Sequence, residues 1–333
     1  MTAGTSLSEE LGRARHARLA LWIAALVVVG LAVQRAWPVW DAHLHHARDL
    51  VYETPTLRTI ELVRAGENPY DPRVYAAGRM WLTLYTPLYA YAVAPLQGLS
   101  DNHFLAGRAV SLAAALASAA ALFLVRGRSA PCAWALAGAL FLVRPLLSNS
   151  AFVKPDMLAT CASVFAVICA ERARDSRRWL VPCALLCVAA FAAKQTFVAA
   201  SAASAGFLLL NDRRRGLELA AYLALGFGAF LALAALAWGD GFWFCVFRAP
   251  QNPLAWSEFA THWGKMLRQP VAVLLLAAGI AALGAGLARR GLAVLSSSPY
   301  ALYVVASAAV LTAMLPKVGA ATNYFIEWLC ASC

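Results

Sequence analysis

The sequence predicts an all-α polytopic integral membrane protein, and three observations carry that prediction. Hydrophobic residues make up 62% of its 333 residues and charged residues only 14%, too apolar a balance for a soluble globular chain. About nine apolar stretches, most close to the ~20 residues that cross a hydrocarbon core, recur along the whole length. Short clusters of arginine mark one set of connecting segments. All the lysines (Lys154, Lys194, Lys265 and Lys317) fall in the other set.

In chain order, residues 1–18 carry Arg13, Arg15, His16 and Arg18 and precede an apolar run at 19–37. No small-residue cleavage site follows, so this is an uncleaved first helix rather than a signal peptide. Further spans are expected near 104–125, 131–149, 157–170, 179–194, 196–210, 217–238, 270–288 and 299–315, with a tenth starting near Phe325. The chain stops a few residues into that last segment, which reads as a truncation. The positive-inside rule places the N-terminus, Arg126/Arg128, the 172–178 cluster, Arg213–Arg215 and Arg289/Arg290 in the cytoplasm. These positions alternate as a series of hairpins requires. The net charge of +11 is therefore a topology signal. No basic stripe interleaved with aromatics lies outside the spans, which excludes a nucleic-acid partner.

Residues 38–101 form the long first extracytoplasmic loop. Within it, 82–99 (LTLYTPLYAYAVAPLQGL) is apolar enough to cross, yet counting it would invert every later assignment. Its prolines and tyrosines predict a juxtamembrane helix at the interface instead. The chain thus divides into a cytoplasmic N-terminus at 1–18 and one transmembrane domain at 19–333. Six of the eight cysteines lie in or beside spans, where cysteine behaves as a small hydrophobe. Cys330 and Cys333 form a CxxC with no second pair to complete a zinc site.

The chemistry-bearing residues collect in the outer loops. Asp49 and Glu53 are four apart, so on a helix they would share a face. They could supply a general base or, in Asp49 and Asp156, hold a divalent cation such as Mg²⁺ or Mn²⁺. The second outer loop, RPLLSNSAFVKPDMLA, brings Lys154 beside Asp156. It follows Arg144, which is expected inside a span, where an ionisable side chain needs a polar cavity or a partner. AAKQTFVAA places Lys194 and Gln195 in a two-helix turn, and KVGAATNYFIEW places Asn323, Tyr324 and Glu327 together with Lys317. Snorkelling explains any one of these lysines. It does not explain why the outer turns use lysine and the inner turns only arginine. Cations converging on one rim could hold a phosphate.

Taken together these residues resemble the GT-C superfamily of membrane glycosyltransferases, which includes protein O-mannosyltransferases and bacterial aminoarabinose transferases acting on lipid A. The resemblance rests on five features in order. They are DLVYE in the first outer loop, G-x-x-P-Y followed by YTPLY, GRAVSL opening the second span, KPDMLA, and KQT with a later NYFIE. The family's acid pair, Asp-Glu or Glu-x-Asp, is replaced here by acids four apart, so the base is either Glu53 or Asp49. The resemblance implies transfer of a glycosyl group from a polyprenyl-phosphate-linked sugar to a lipid, glycan or protein acceptor. It implies that this happens at the outer face of a membrane, here a bacterial inner membrane. In that setting Glu53, or Asp49 in its place, takes the acceptor proton, while Lys154, Lys194 and Arg144 steady the leaving phosphate. Asp156 orients a lysine or shares the cation. Gln195, Asn323, Tyr324 and Glu327 join the substrate-binding set, and Tyr85 and Tyr89 line a lipid groove or belong to the interfacial aromatic belt. Two other readings stay open: a transporter or flippase for a lipid-linked or anionic solute, and a non-catalytic membrane subunit.

Overall fold

The computed structural model describes residues 7–50, 52–73 and 82–333, with side chains from residue 15 onward. Parts of the expected cytoplasmic N-terminus and of the first outer loop therefore lie outside the described residues. The described chain is helical. Its single strand-like pairing is an isolated antiparallel bridge between Leu254 and Lys317. The protein is an integral membrane protein with several transmembrane helices, as its apolar periodicity predicts. In order, the helices are α1 (Leu7–His45), α2 (Thr54–Arg64), α3 (Leu88–Val93), α4 (Leu105–Ala121), α5 (Ala130–Leu142), α6 (Arg144–Asn149), α7 (Asp156–Ala173) and α8 (Leu180–Ala193). They continue as α9 (Ala199–Asn211), α10 (Arg213–Trp243), α11 (Trp256–Leu267), α12 (Pro270–Arg290), α13 (Ala293–Ser297), α14 (Pro299–Met314) and α15 (Phe325–Ser332).

Each expected span corresponds to a helix, but the helices differ in reach. Among the described residues four segments are long and apolar enough to cross a membrane: 15–45, 105–124, 213–248 and 270–290. The windows at 213–248 and 270–290 are only 17% buried within the protein, so these helices face lipid and need full length. The shorter helices sit inside. In α7, thirteen of 18 residues are buried, with α4, α8 and α9 packed around it. A helix covered by protein can end within the membrane depth, because irregular backbone is tolerated there when it is not exposed to lipid. Small residues set the spacing. Of the buried α7 positions, Ala159, Ala162, Ala166, Ala170 and Ala173 let neighbouring backbones approach.

Three expectations change in detail. The span at 131–149 is not continuous: Val143 has extended backbone between α5 and α6. Segment 82–99 is a six-residue α3 followed by a 3₁₀ turn over Ala94–Leu99, too short to cross, in keeping with the interfacial reading. Asp49 and Glu53 do not share a helical face, because α2 begins only at Thr54. All the cysteines are free thiols.

The outer loop folds onto the bundle. Leu57 and Ile60 of α2, Tyr89 and Val93 of α3, Phe104 and Val153 form one buried apolar cluster. Farther along, the Tyr70 ring packs edge-on to Phe242 (5.2 Å, 84°) and tilted against Trp238 (5.2 Å) at the end of α10. Gly241 is required there, since a Cβ would lie 2.0 Å from the Tyr70 carbonyl oxygen.

Candidate functional site

The site begins with Arg108, one turn into α4 and fully buried. Its Nε donates to Glu53 Oε1 (3.0 Å) and its Nη2 to Glu53 Oε2 (2.6 Å), a bidentate pair with both side chains at 0% exposure. The remaining guanidinium protons reach the carbonyls of His43, His46 and Arg48. Glu53 also accepts from the Val153 N–H (2.7 Å) and the Leu50 N–H (3.1 Å). This pair therefore fastens the end of α1, the start of the first loop and the second outer loop to one helix. Gly107 allows the approach, since a Cβ there would meet Val153 at 2.6 Å. With four donors on its two oxygens and no exposure, Glu53 has no accessible lone pair for an acceptor proton.

Asp49 is placed differently. It is exposed and caps α2, accepting from the N–H groups of Glu53 and Thr54 (both 2.9 Å) and from the Thr54 hydroxyl. Partial burial pushes its carboxyl pKa up, but the hydrogen bonds from Thr54 and Glu53, with the nearby Lys154 ammonium, hold it below the usual carboxylate range. Asp49 is therefore an ionised, solvent-reachable carboxylate.

The second outer loop supplies the cations. Lys154 is half-buried, and its ammonium lies 5.4 Å from the centre of the Phe152 ring. Among the described residues, no carboxylate comes within ion-pair distance of it. Burial lowers its pKa, against the pull of Asp156 and, more weakly, of Glu53 and Asp49. Lys194 is the opposite case. At 3% exposure its ammonium donates to Asp156 Oδ1 at 2.6 Å. The rings of Tyr324 (5.1 Å), Tyr85 (5.4 Å) and Phe197 (5.9 Å) surround it. Asn323 Nδ2 donates to the same Asp156 oxygen at 2.8 Å, while Asp156 Oδ2 is buried without a partner. Asp156, Lys194, Asn323, Tyr324 and Tyr85 thus come together from four separate segments.

Other expected residues go elsewhere. Arg144 is exposed at the start of α6, and only its backbone N–H is engaged, by Gln269. Its placement inside a span is corrected, because the helix breaks just before it. Gln195 Nε2 straps the carbonyls of Leu84 (2.8 Å) and Val246 (3.0 Å) together. Glu327 is buried on α15 and accepts from the Tyr303 hydroxyl at 3.1 Å. Tyr89 is buried, with its hydroxyl on the Gly107 carbonyl (2.8 Å) and beside Ser111. Asp49 and Asp156 serve different partners. Among the described residues no group of three or more His, Cys, Asp or Glu side chains gathers as a metal site would need.

Between α2 and the 82–90 segment lies a cavity of about 280 Å³, lined in part by Tyr52, Thr56, Thr59, Tyr85, Tyr89 and Pro155. Sequence reasoning missed two residues here, Arg108 and Tyr52. Arg108 had a signal: it is an arginine near the outer end of an apolar span, where an ionisable group calls for a partner. Nothing in the sequence marks Tyr52 beyond its place between two acids.

No family model matches the sequence, and no curated protein does. Two solved structures match. The crystal structure of ArnT from Cupriavidus metallidurans in the apo state is 15% identical with a TM-score of 0.59, covering 96% of this chain and 58% of that one. The structure of the same protein bound to undecaprenyl phosphate is 17% identical with a TM-score of 0.60, covering 91% and 58%. The chain thus spans 58% of the ArnT length. At this identity the likeness is one of fold: the chain shares the membrane fold of ArnT over the part that it spans.

Proposed function

We propose that this chain is a membrane glycosyltransferase that takes a sugar from a polyprenyl-phosphate donor at the extracytoplasmic face. The observation that carries the reading is an accessible, ionised carboxylate, Asp49, in the field of Lys154, an ammonium with no carboxylate partner, on a GT-C-type fold. The solved relative that binds undecaprenyl phosphate supports the class of donor.

The acceptor hydroxyl gives its proton to Asp49 as its oxygen bonds to the anomeric carbon. The bond from that carbon to the phosphate oxygen breaks, and the lipid phosphate leaves with the electron pair. Lys154 lies where it can meet the charge growing on that phosphate, an electrostatic role that gains strength away from bulk water. Asp156, Lys194 and Asn323 act as positioning residues. Their ion pair and hydrogen bond fix the start of α7, and with it Lys154 two residues earlier. Glu53 and Arg108 hold the loop that presents Asp49. The acceptor is a lipid, glycan or protein at the same face.

The test is transfer of labelled sugar from polyprenyl-phosphate donors in proteoliposomes. Asp49→Asn is expected to slow transfer by about 10²–10⁴-fold, the usual contribution of a general base, while the protein stays folded. Wild-type rates in Asp49→Asn would remove Asp49 as the base. A folded wild type that consumes no donor would overturn the proposal, and donor crossing the bilayer in the same vesicles would replace it with a flippase.

A further inference from the structure

Tyr52 is the described non-glycine residue with left-handed backbone, at φ 51°. Cβ crowding makes that conformation unfavourable for an aromatic residue, and such strain persists only where the surroundings over-determine it. Here they do. The Glu53 N–H is held by Asp49, the Leu50 N–H is held by Glu53, and Glu53 is itself locked by Arg108. The two acids close a tight turn from both ends, and Tyr52 is what the turn throws outward. Its side chain is 84% exposed and stands on the wall of the cavity of about 280 Å³.

The lining of that cavity has a definite chemistry. Among the described residues it includes no charged side chain, and its surface is mostly apolar. Several of its hydroxyls are already engaged: Thr59 with Thr83 (3.0 Å), Thr83 with the Pro69 carbonyl (2.9 Å) and Thr86 with the Phe191 carbonyl (2.7 Å). Among the described residues those of Thr56 and Tyr85 have no hydrogen-bond partner. Apolar walls, a few unengaged hydroxyls and an exposed aromatic ring match a neutral sugar, which offers a C–H face and a rim of hydroxyls. The volume lies near the lower end of ligand pockets, about 300 Å³, which suits a single ring better than a long isoprenoid tail. Tyr85 links the cavity to the charged cluster, since its ring lines the cavity and lies 5.4 Å from the Lys194 ammonium.

We propose that the cavity between α2 and the 82–90 segment is the sugar subsite, and that Tyr52 is its stacking platform and a determinant of which sugar is accepted. The proposal rests on the glycosyltransferase reading, so its test must separate the two. Binding of a polyprenyl-phosphate hexose and of sugarless polyprenyl phosphate is measured for wild type, Tyr52→Trp and Tyr52→Gly in the full chain. Glycine adopts positive φ freely, so Tyr52→Gly relieves the turn and its melting temperature is expected to hold or rise. The same variant is expected to lose about tenfold in affinity for the hexose-bearing lipid and none for the sugarless one, while Tyr52→Trp retains binding. Equal losses for both lipids would overturn the proposal and assign the cavity to the isoprenoid chain. No loss for either would make Tyr52 an interfacial belt residue. Wild type binding neither lipid would remove the glycosyltransferase reading and this subsite with it. Wild type binding both, with Tyr52→Gly unchanged, would remove the subsite alone.

Discussion

The two faces of this membrane protein use the same charged residues in opposite ways. On the arginine-rich face, Arg126 pairs with Asp175 and Arg177 with Glu218, and the arginines and Asp175 are about half exposed or more. On the lysine-bearing face, Glu53–Arg108 and Asp156–Lys194 pair at exposures between 0% and 3%. Exposed pairs are screened by water and contribute little. Buried pairs cost a great deal to break, because the survivor is left charged and unpaired. The exposed arginine pairs add little to the fold, whereas the buried pairs build a rigid frame around the first loop. Within that frame two groups stand out: Asp49 faces water, and Lys154 has no carboxylate within ion-pair distance among the described residues.

The comparison can be broken most directly at the frame. Glu53→Gln should destabilise the folded protein by about 3–5 kcal/mol, the usual cost of halving a buried pair, read as a fall in detergent melting temperature. A melting temperature equal to wild type would mean that Glu53 does not hold the loop. Gly107→Ala should come next. Its methyl cannot coexist with Val153 at 2.6 Å, and overpacking of this kind typically costs about 1–3 kcal/mol. Val153→Ala in the same chain should restore part of the loss.

The free groups give a pH signature. Burial lowers the Lys154 pKa, so the ammonium loses its proton at lower pH than an ordinary lysine. Donor affinity should therefore decline on the alkaline side before ordinary lysine titrates, and Lys154→Arg should extend it to higher pH. An unchanged alkaline limb in Lys154→Arg would show that another group titrates there. Asp49 is held low, which fixes the sign on the acid side. Its contribution to stability is complete above the ordinary carboxylate range and is lost as pH falls through the depressed value. Transfer should persist into acid for the same reason. The smallest effect belongs to the opposite face, where Arg177→Gln should leave melting temperature and transfer unchanged. A clear loss would mean that its exposed pair matters more than exposure allows.

Much of the architecture was legible in the sequence. Apolar runs, arginine clusters and the prolines and tyrosines of 82–99 each report a local property, the cost of putting that segment in lipid. The site was legible only as a set of outer-loop residues. The rule that a charge inside a span needs a partner was sound, but it was applied to Arg144, which the break at Val143 leaves exposed. It belonged to Arg108. The sequence reading put Glu53 first as base with Asp49 in reserve, and the structure separates them the other way, because Glu53 turns inward to Arg108 while Asp49 caps α2.

The sequence by itself determined the all-α membrane class and the alternation of arginine clusters with lysine-bearing segments. These follow from hydrophobicity and charge, which sum over a short stretch of chain whatever lies nearby. Tertiary structure alone decided which cations are neutralised and which stay free, which acid reaches water, and that Tyr52 stands on a cavity wall. Those properties depend on contacts between segments as far apart as Glu53 and Arg108 or Asp156 and Asn323, where a few ångströms separate a buried ion pair from a reactive group.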